Sequence, residues 1–168
     1  MPGRPAWLAS TRPFGRIGPP NPLIENAMPS IETLDRFIAR VEQNAHAEAC
    51  EEFYTEESTM QENQSVPRVG RDAHVANERK VLARAKSIVS KCVRPVLMQG
   101  NMVVIRWIFH FEWLDGSVTH MEELAYQRWE GERIAEETFF YDPAQRVPKK
   151  MPAVAAPISD EGPARTKQ

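Results

Sequence analysis

A chain of 168 residues with 42% hydrophobic and 26% charged content is long enough for one filled core and too short for two ordinary domains. A formal net charge of -2 with scattered Lys and Arg offers no basic face for a phosphate backbone, so nucleic acid is not an expected partner. Cys50 and Cys92 lack CxxC spacing and paired histidines, which argues against a disulfide framework and a metal site and makes a reducing cytoplasm the simplest home, and no apolar run nears the roughly 20 residues of a membrane helix.

Residues 1–29 hold seven of the fourteen prolines, three arginines and one acid, Glu25, with neither helical nor alternating pattern, so they read as a flexible N-terminal extension. Their charge fits an organelle transit peptide, but the proline density breaks the amphipathic helix such peptides form. A true start at Met28, just before the first clean helix signal, is the other reading. Ser30 suits an N-cap, and Ile31, Leu34, Phe37, Ile38 and Val41 recur at helical spacing. Asn44 is placed to cap a second helix running through Tyr54, with Ala49, Cys50 and Phe53 facing inward. Asp72 is placed to cap a third from Ala73 to about Ala85. Between these two, Thr59–Glu62 is long enough only for an edge strand.

After residue 90 the period changes to extended, β-rich segments broken by Gly100-Asn101, Asp115-Gly116 and Glu130-Gly131-Glu132. Read as hairpin turns, these give four strands near Cys92–Gln99, Met102–Leu114, Ser117–Trp129 and Arg133–Tyr141. The tail from Pro143 to Gln168, proline-rich and aperiodic, reads as flexible, leaving residues 30–142 as the folded domain. Helices followed by a meander make an α+β arrangement with the helices on one face of the sheet.

The turns also predict the pairing. A two-residue loop at Asp115-Gly116 sets Arg106 opposite Ala125, Ile108 opposite Glu123 and His110 opposite Met121, and a three-residue loop at 130–132 sets Ala125 opposite Glu137, Glu123 opposite Phe139 and Met121 opposite Tyr141. One face then carries Arg106, Ile108, His110, Met121, Glu123, Gln127, Glu137, Phe139 and Tyr141. The other carries Trp107, Phe109, Phe111, Trp113, Leu124, Tyr126 and Phe140. Both hold too much apolar surface to be wetted, so helices should cover one and a second copy of the chain the other, or else a terminal appendage of a monomer.

The run FYTEESTMQE at 53–62, then the hairpins and the closing EELAYQRWEGERIAEETFFYDP at 122–143, resemble the nuclear transport factor 2-like superfamily over roughly residues 31–142. Its SnoaL-like polyketide cyclases and ketosteroid isomerase-like proteins are the members most similar in style. The resemblance implies a cystatin-like cone, three N-terminal helices packed on a strongly curved mixed or antiparallel sheet, with a small-molecule pocket on the concave face among Glu123, Gln127 and Glu137. Carried across, the isomerase pattern places its carboxylate base on Glu62, while its two oxyanion donors fall on Ile38 and Ala125, neither of which can donate.

In the expected register Arg106 reaches Glu137 over Ala125, with Glu123 diagonal to both. An arginine lowers a neighbouring carboxyl's pKa while burial raises it, so Arg106 decides the balance. That trio also resembles the arginine between two carboxylates of limonene-epoxide hydrolases; equally, it satisfies buried polar groups and fixes register without chemistry. His110 is a further acid-base candidate, as against a packed strand histidine. Tyr54, Met60, Ile108, Met121, Gln127, Trp129, Phe139 and Tyr141 are expected to line a wall suited to an apolar ligand with few oxygens. Three functions follow: a cofactor-independent isomerase or cyclase with Glu62 as base and Arg106, His110 or Tyr141 steadying charge, a non-catalytic binding or dimerisation module, and water addition to an epoxide.

Overall fold

The computed structural model describes residues 28–150. The expected N-terminal extension, apart from Met28 and Pro29, and the tail from residue 151 lie outside them. Helix α1 (Ile31–Glu42) starts where expected: Ser30 Oγ accepts from the Thr33 amide, and Thr33, Leu34, Phe37, Ile38 and Val41 form the buried stripe. Phe37 lies at its centre, meeting the rings of Phe53, Tyr54, Trp107 and Trp129 edge-on at 5.5 to 6.5 Å. Four elements are therefore keyed to one side chain, an arrangement favoured by the quadrupoles of the rings.

Helix α2 (His46–Phe53) begins later than expected. Asn44 adopts a left-handed conformation at φ 61 instead of capping it, and its amide bonds across to the sheet. Helix α3 (Arg71–Leu82) begins at Gly70, not Asp72, with no side-chain cap; Gly70 has φ 95, a conformation an L side chain resists.

Among the described residues seven strands form one mixed sheet: β1 (Tyr54–Glu62), β2 (Arg68–Val69), β3 (Ala85–Gln99), β4 (Met102–Trp113), β5 (Ser117–Glu130), β6 (Arg133–Phe140) and β7 (Lys149–Lys150). Their order is β2-β1-β6-β5-β4-β3, with β7 pairing β5 where β6 has left it. All neighbours are antiparallel except β1 and β6. The short edge strand expected at Thr59–Glu62 is thus a nine-residue inner strand. Residues 143–150, expected within a flexible tail, form a short 3-10 helix at Pro143–Arg146 and then β7.

The sheet register corrects the expected one. Arg106 pairs with Leu124, Ile108 with Glu122 and His110 with His120, whereas Ile105 faces Ala125, Trp107 faces Glu123 and Phe109 faces Met121. The turn holds three residues, not two. Asp115 Oδ1 accepts from the Ser117 amide at 3.0 Å and from its hydroxyl at 2.6 Å, and Gly116 takes φ 81. One extra residue moves a whole strand's side chains to the opposite face. Trp107, Phe109 and Phe111 accordingly lie inward beneath the helices, while Arg106, Ile108 and His110 point out.

Candidate active site

The concave face and the helices enclose a cavity of about 140 Å³. Phe37 and Val41 of α1, Cys50 of α2, Met60 of β1 and Val81 of α3 roof it, and Trp107, Phe109 and Phe111 of β4 floor it. These last three share a face at alternate positions, with Trp107 and Phe109 stacked at 5.8 Å and 27°. Burial drives the Cys50 thiol well above its usual range, so it stays protonated and inert.

Into this apolar space project four carboxyl groups, Glu62, Glu78, Glu123 and Glu137, with His46 and Arg146 as the basic groups among the lining residues. Glu137 of β6 is 2% exposed and held on both oxygens. Gln127 donates from Nε2 to Oε1 at 2.7 Å, and Tyr54 donates its hydroxyl to Oε2. The Gln127 orientation is fixed from behind, because Trp129 Nε1 donates to its Oε1 at 3.0 Å. Burial outweighs these donors and, with the nearby charges of Glu78 and Glu62, pushes the Glu137 carboxyl up to about 7, as expected for a charge in a low-dielectric site.

Glu123 of β5 is held differently. It is 8% exposed, lines the cavity, and makes no side-chain hydrogen bond among the described residues. Burial first, then the like charges of Glu62 and Glu137, push it up to about 8 against the opposing pull of Arg146. Glu62 at the end of β1 lies at the mouth, where Arg146 of the 3-10 helix reaches its Oε2 at 3.0 Å. Arg146 also donates to the Tyr141 hydroxyl at 2.8 Å, so the segment after β6 contributes to the cavity lining.

Of the residues read as site candidates, Glu62, Glu123, Glu137, Tyr54, Met60, Met121 and Phe139 line the cavity. Gln127 and Trp129 are fully buried behind Glu137, and Tyr141 stands beside Arg146 at the rim. Arg106, Ile108 and His110 do not belong to the site. Arg106 binds Glu122 on the outer face at 2.7 Å, and the His110 ring packs against His120 at 6.1 Å. The arginine-carboxylate trio expected from the two-residue turn therefore does not form. Sequence reasoning missed Arg146, hidden in a stretch read as flexible, and the pair His46 and Glu78. A His46-to-Glu78 spacing carries no periodic signal; only the packing of α2 on α3 unites them. Among the described residues no group of three or more His, Cys, Asp or Glu is arranged to hold a metal ion, and no helix is long and apolar enough to cross a membrane.

No protein-family model and no curated protein matches the sequence. Among solved structures the chain is similar to a hypothetical protein from Catenulispora acidiphila with a ketosteroid isomerase-like fold, in complex with trimethylamine, at 13% identity over 69% of this chain and 89% of that one, with a TM-score of 0.59. It is similar to an epoxide hydrolase from Mycobacterium tuberculosis of the LEH-like kind at 10% identity, covering 68% and 84% of the two chains with a TM-score of 0.58. It is likewise similar to a candidate SnoaL-like polyketide cyclase from Jannaschia sp. CCS1 at 13% identity, covering 74% and 90%, with a TM-score of 0.56. These likenesses establish the fold, the cystatin-like cone of nuclear transport factor 2-like proteins, which hosts several chemistries.

Proposed function

We propose that this chain is a cofactor-independent proton-transfer enzyme, an isomerase or cyclase that moves a proton next to a carbonyl of a planar, mostly apolar compound. The observation that carries this reading is Glu123, a buried carboxyl aimed into an aromatic cavity, with no hydrogen-bond partner among the described residues, whose protonation changes at about 8. A group that readily holds and releases a proton near neutral pH is suited to general acid-base catalysis. In the forward step the ionised form of Glu123 takes the proton as the substrate C–H bond breaks, and the electron pair moves into the carbonyl to give an enolate; return of that proton to a different carbon yields the isomer and restores the carboxylate. Glu137, fixed by Tyr54 and Gln127, keeps Glu123 proton-rich by its proximity. Glu62, given the base's place by the family pattern, is engaged by Arg146 and is assigned here to the mouth. The ketosteroid isomerase-like and cyclase-like neighbours support this class of chemistry without naming a substrate.

The apolar floor can be probed with nitrobenzisoxazole, a flat ring that opens when a base removes its one reactive carbon-bound proton, with cleavage of the N–O bond. Wild-type protein is expected to accelerate the opening with saturation, and Glu123→Gln to lower the rate by about 100-fold or more, the usual scale for a positioned general base. Glu62→Gln should cost less than about tenfold by the same scale. Unchanged turnover in Glu123→Gln would take the base's role away from Glu123, and wild-type protein that gives no saturable acceleration would instead favour a module that only binds its ligand.

A further inference from the structure

A second polar chain borders the cavity, and its hydrogen positions are fixed by its own bonding. Asn44 donates from Nδ2 to the Ile88 carbonyl at 3.0 Å, which leaves its Oδ1 as acceptor for the Ser90 hydroxyl at 2.8 Å. A serine hydroxyl has one hydrogen. Toward His46 Nε2, at 2.9 Å, Ser90 therefore accepts, and Nε2 is the nitrogen that donates. That leaves His46 Nδ1, which stands 3.7 Å from the Glu78 carboxylate, within reach of charge attraction and too far for a hydrogen bond. Burial alone would raise the Glu78 carboxyl, but His46 and then Asn77 and Arg68 outweigh it and hold the group below its usual range. Glu78 is thus an ionised acid beside a ring nitrogen that makes no hydrogen bond among the described residues.

The sheet places this pair relative to Glu123. Trp107 lies opposite Glu123 on the β5 side, and Phe109 lies opposite Ser90 on the β3 side. The His46 ring meets Phe109 at 5.8 Å, and Phe109 stacks on Trp107. A flat ligand on the Trp107 and Phe109 rings would therefore have Glu123 toward one end and His46 toward the other. The proton-transfer reading needs a donor for the oxygen that gains charge. The positions that the family pattern reserves for such donors hold Ile38 and Ala125, both buried in the core, and Arg106 and His110 point away.

We propose that the cavity takes a planar ligand bearing an oxygen that develops negative charge, and that His46 is a further catalytic residue donating Nδ1–H to that oxygen. Glu78, Ser90 and Asn44 are positioning residues: the Glu78 carboxylate stands 3.7 Å from Nδ1 as a counter-charge, and Ser90 and Asn44 hold Nε2 as a donor. The chemistry rests on the proton-transfer reading; the test does not.

Para-nitrophenol, whose oxygen carries the charge of a phenolate, and nitrobenzene, the same ring without that oxygen, can be titrated into the full-length protein by calorimetry and absorbance. His46→Gln is expected to weaken nitrophenol binding about tenfold, the effect of removing one hydrogen bond to a charged group, and nitrobenzene binding by less than about twofold. Ser90→Ala, which leaves the imidazole itself untouched, should weaken nitrophenol alone, by about threefold, the scale of one neutral hydrogen bond acting through the ring it orients. Equal weakening of both ligands, no weakening of either, or wild-type protein that fails to bind nitrophenol overturns the assignment. Nitrobenzisoxazole opening and its dependence on Glu123 are read separately, so failure of either result leaves the other intact.

Discussion

Glu137 illustrates how few neighbours decide the state of a buried acid. Tyr54 and Gln127 each supply one donor, yet burial still prevails and the carboxyl is pushed up to about 7. Tyr54→Phe removes the donor on Oε2 and leaves a buried acceptor unsatisfied, which should cost about 1–3 kcal/mol in urea unfolding and raise the Glu137 midpoint further, readable by carbon-13 NMR of labelled glutamate. The same shifts fix a pH dependence of stability. In the unfolded chain both glutamates ionise near 4.5, whereas in the fold Glu123 holds its proton to about 8 and Glu137 to about 7. Between those limits the folded state binds more protons, so their contribution is full below the unfolded value and is lost as pH rises, by up to about 1.4 kcal/mol per pH unit for each group. Glu123→Gln should flatten that fall and make the protein more stable than wild type at about pH 8, where the wild-type cost of the buried charge is nearly complete. An unfolding midpoint that declines as steeply in the variant would contradict the assignment.

At the scale of elements the three-residue turn after β4 matters most. Leu114 to Gly116 hold the register in which Trp107 and Phe109 face the cavity, through the Asp115 bonds to Ser117 and a positive φ at Gly116. A Cβ at Gly116 would meet nothing within 4 Å, so Gly116→Ala should cost about 1 kcal/mol from backbone strain alone, measurable as a shift in the urea midpoint. This turn also marks the limit of what the sequence discloses. Helix α1 was legible because one stripe is apolar and the other polar. Strand β4 was not, because Val104 and Ile108 on one face and Trp107, Phe109 and Phe111 on the other are both hydrophobic, so alternation leaves the phase open. The turn alone sets it, and Asp-Gly serves two-residue and three-residue loops alike. Glu123 and Glu137 were placed on one face correctly for a compensating reason. The β5–β6 turn pairs Glu130 with Arg133, and a bulge between Arg128 and Trp129 then sets Gln127 opposite Glu137. The slip amounts to two residues and preserves the face.

Across the whole molecule the sheet separates a chemical face from an outer one. Arg106→Ala, on the outer side, should leave nitrobenzisoxazole turnover unchanged, whereas Arg146→Ala, which frees Glu62 and opens the rim, should alter KM by about tenfold or less, the scale of one hydrogen bond to a charged group. Two assays on purified variants would separate these sides. The outer face exposes Leu124, Tyr126 and Phe140, each 44 to 45% accessible, a row better covered than wetted. A second copy of this chain is the proposed cover, and sedimentation equilibrium should find a dimer that Tyr126→Glu disperses to monomers, while a monomeric wild type would refute it.

The proposed proton transfer depends on Glu123 titrating well above the range of exposed carboxyls, with Glu137 beside it raised as well, so that near its midpoint Glu123 both takes a proton and gives it back. Infrared difference spectroscopy reads this without a substrate, through the carbonyl stretch of a buried, protonated carboxylic acid. At about pH 6, well below both midpoints, wild-type protein should carry that band, with Glu123→Gln and Glu137→Gln each removing part of it and raised pH abolishing it. A spectrum without the band at that pH, or one that Glu123→Gln leaves unchanged, would contradict the account.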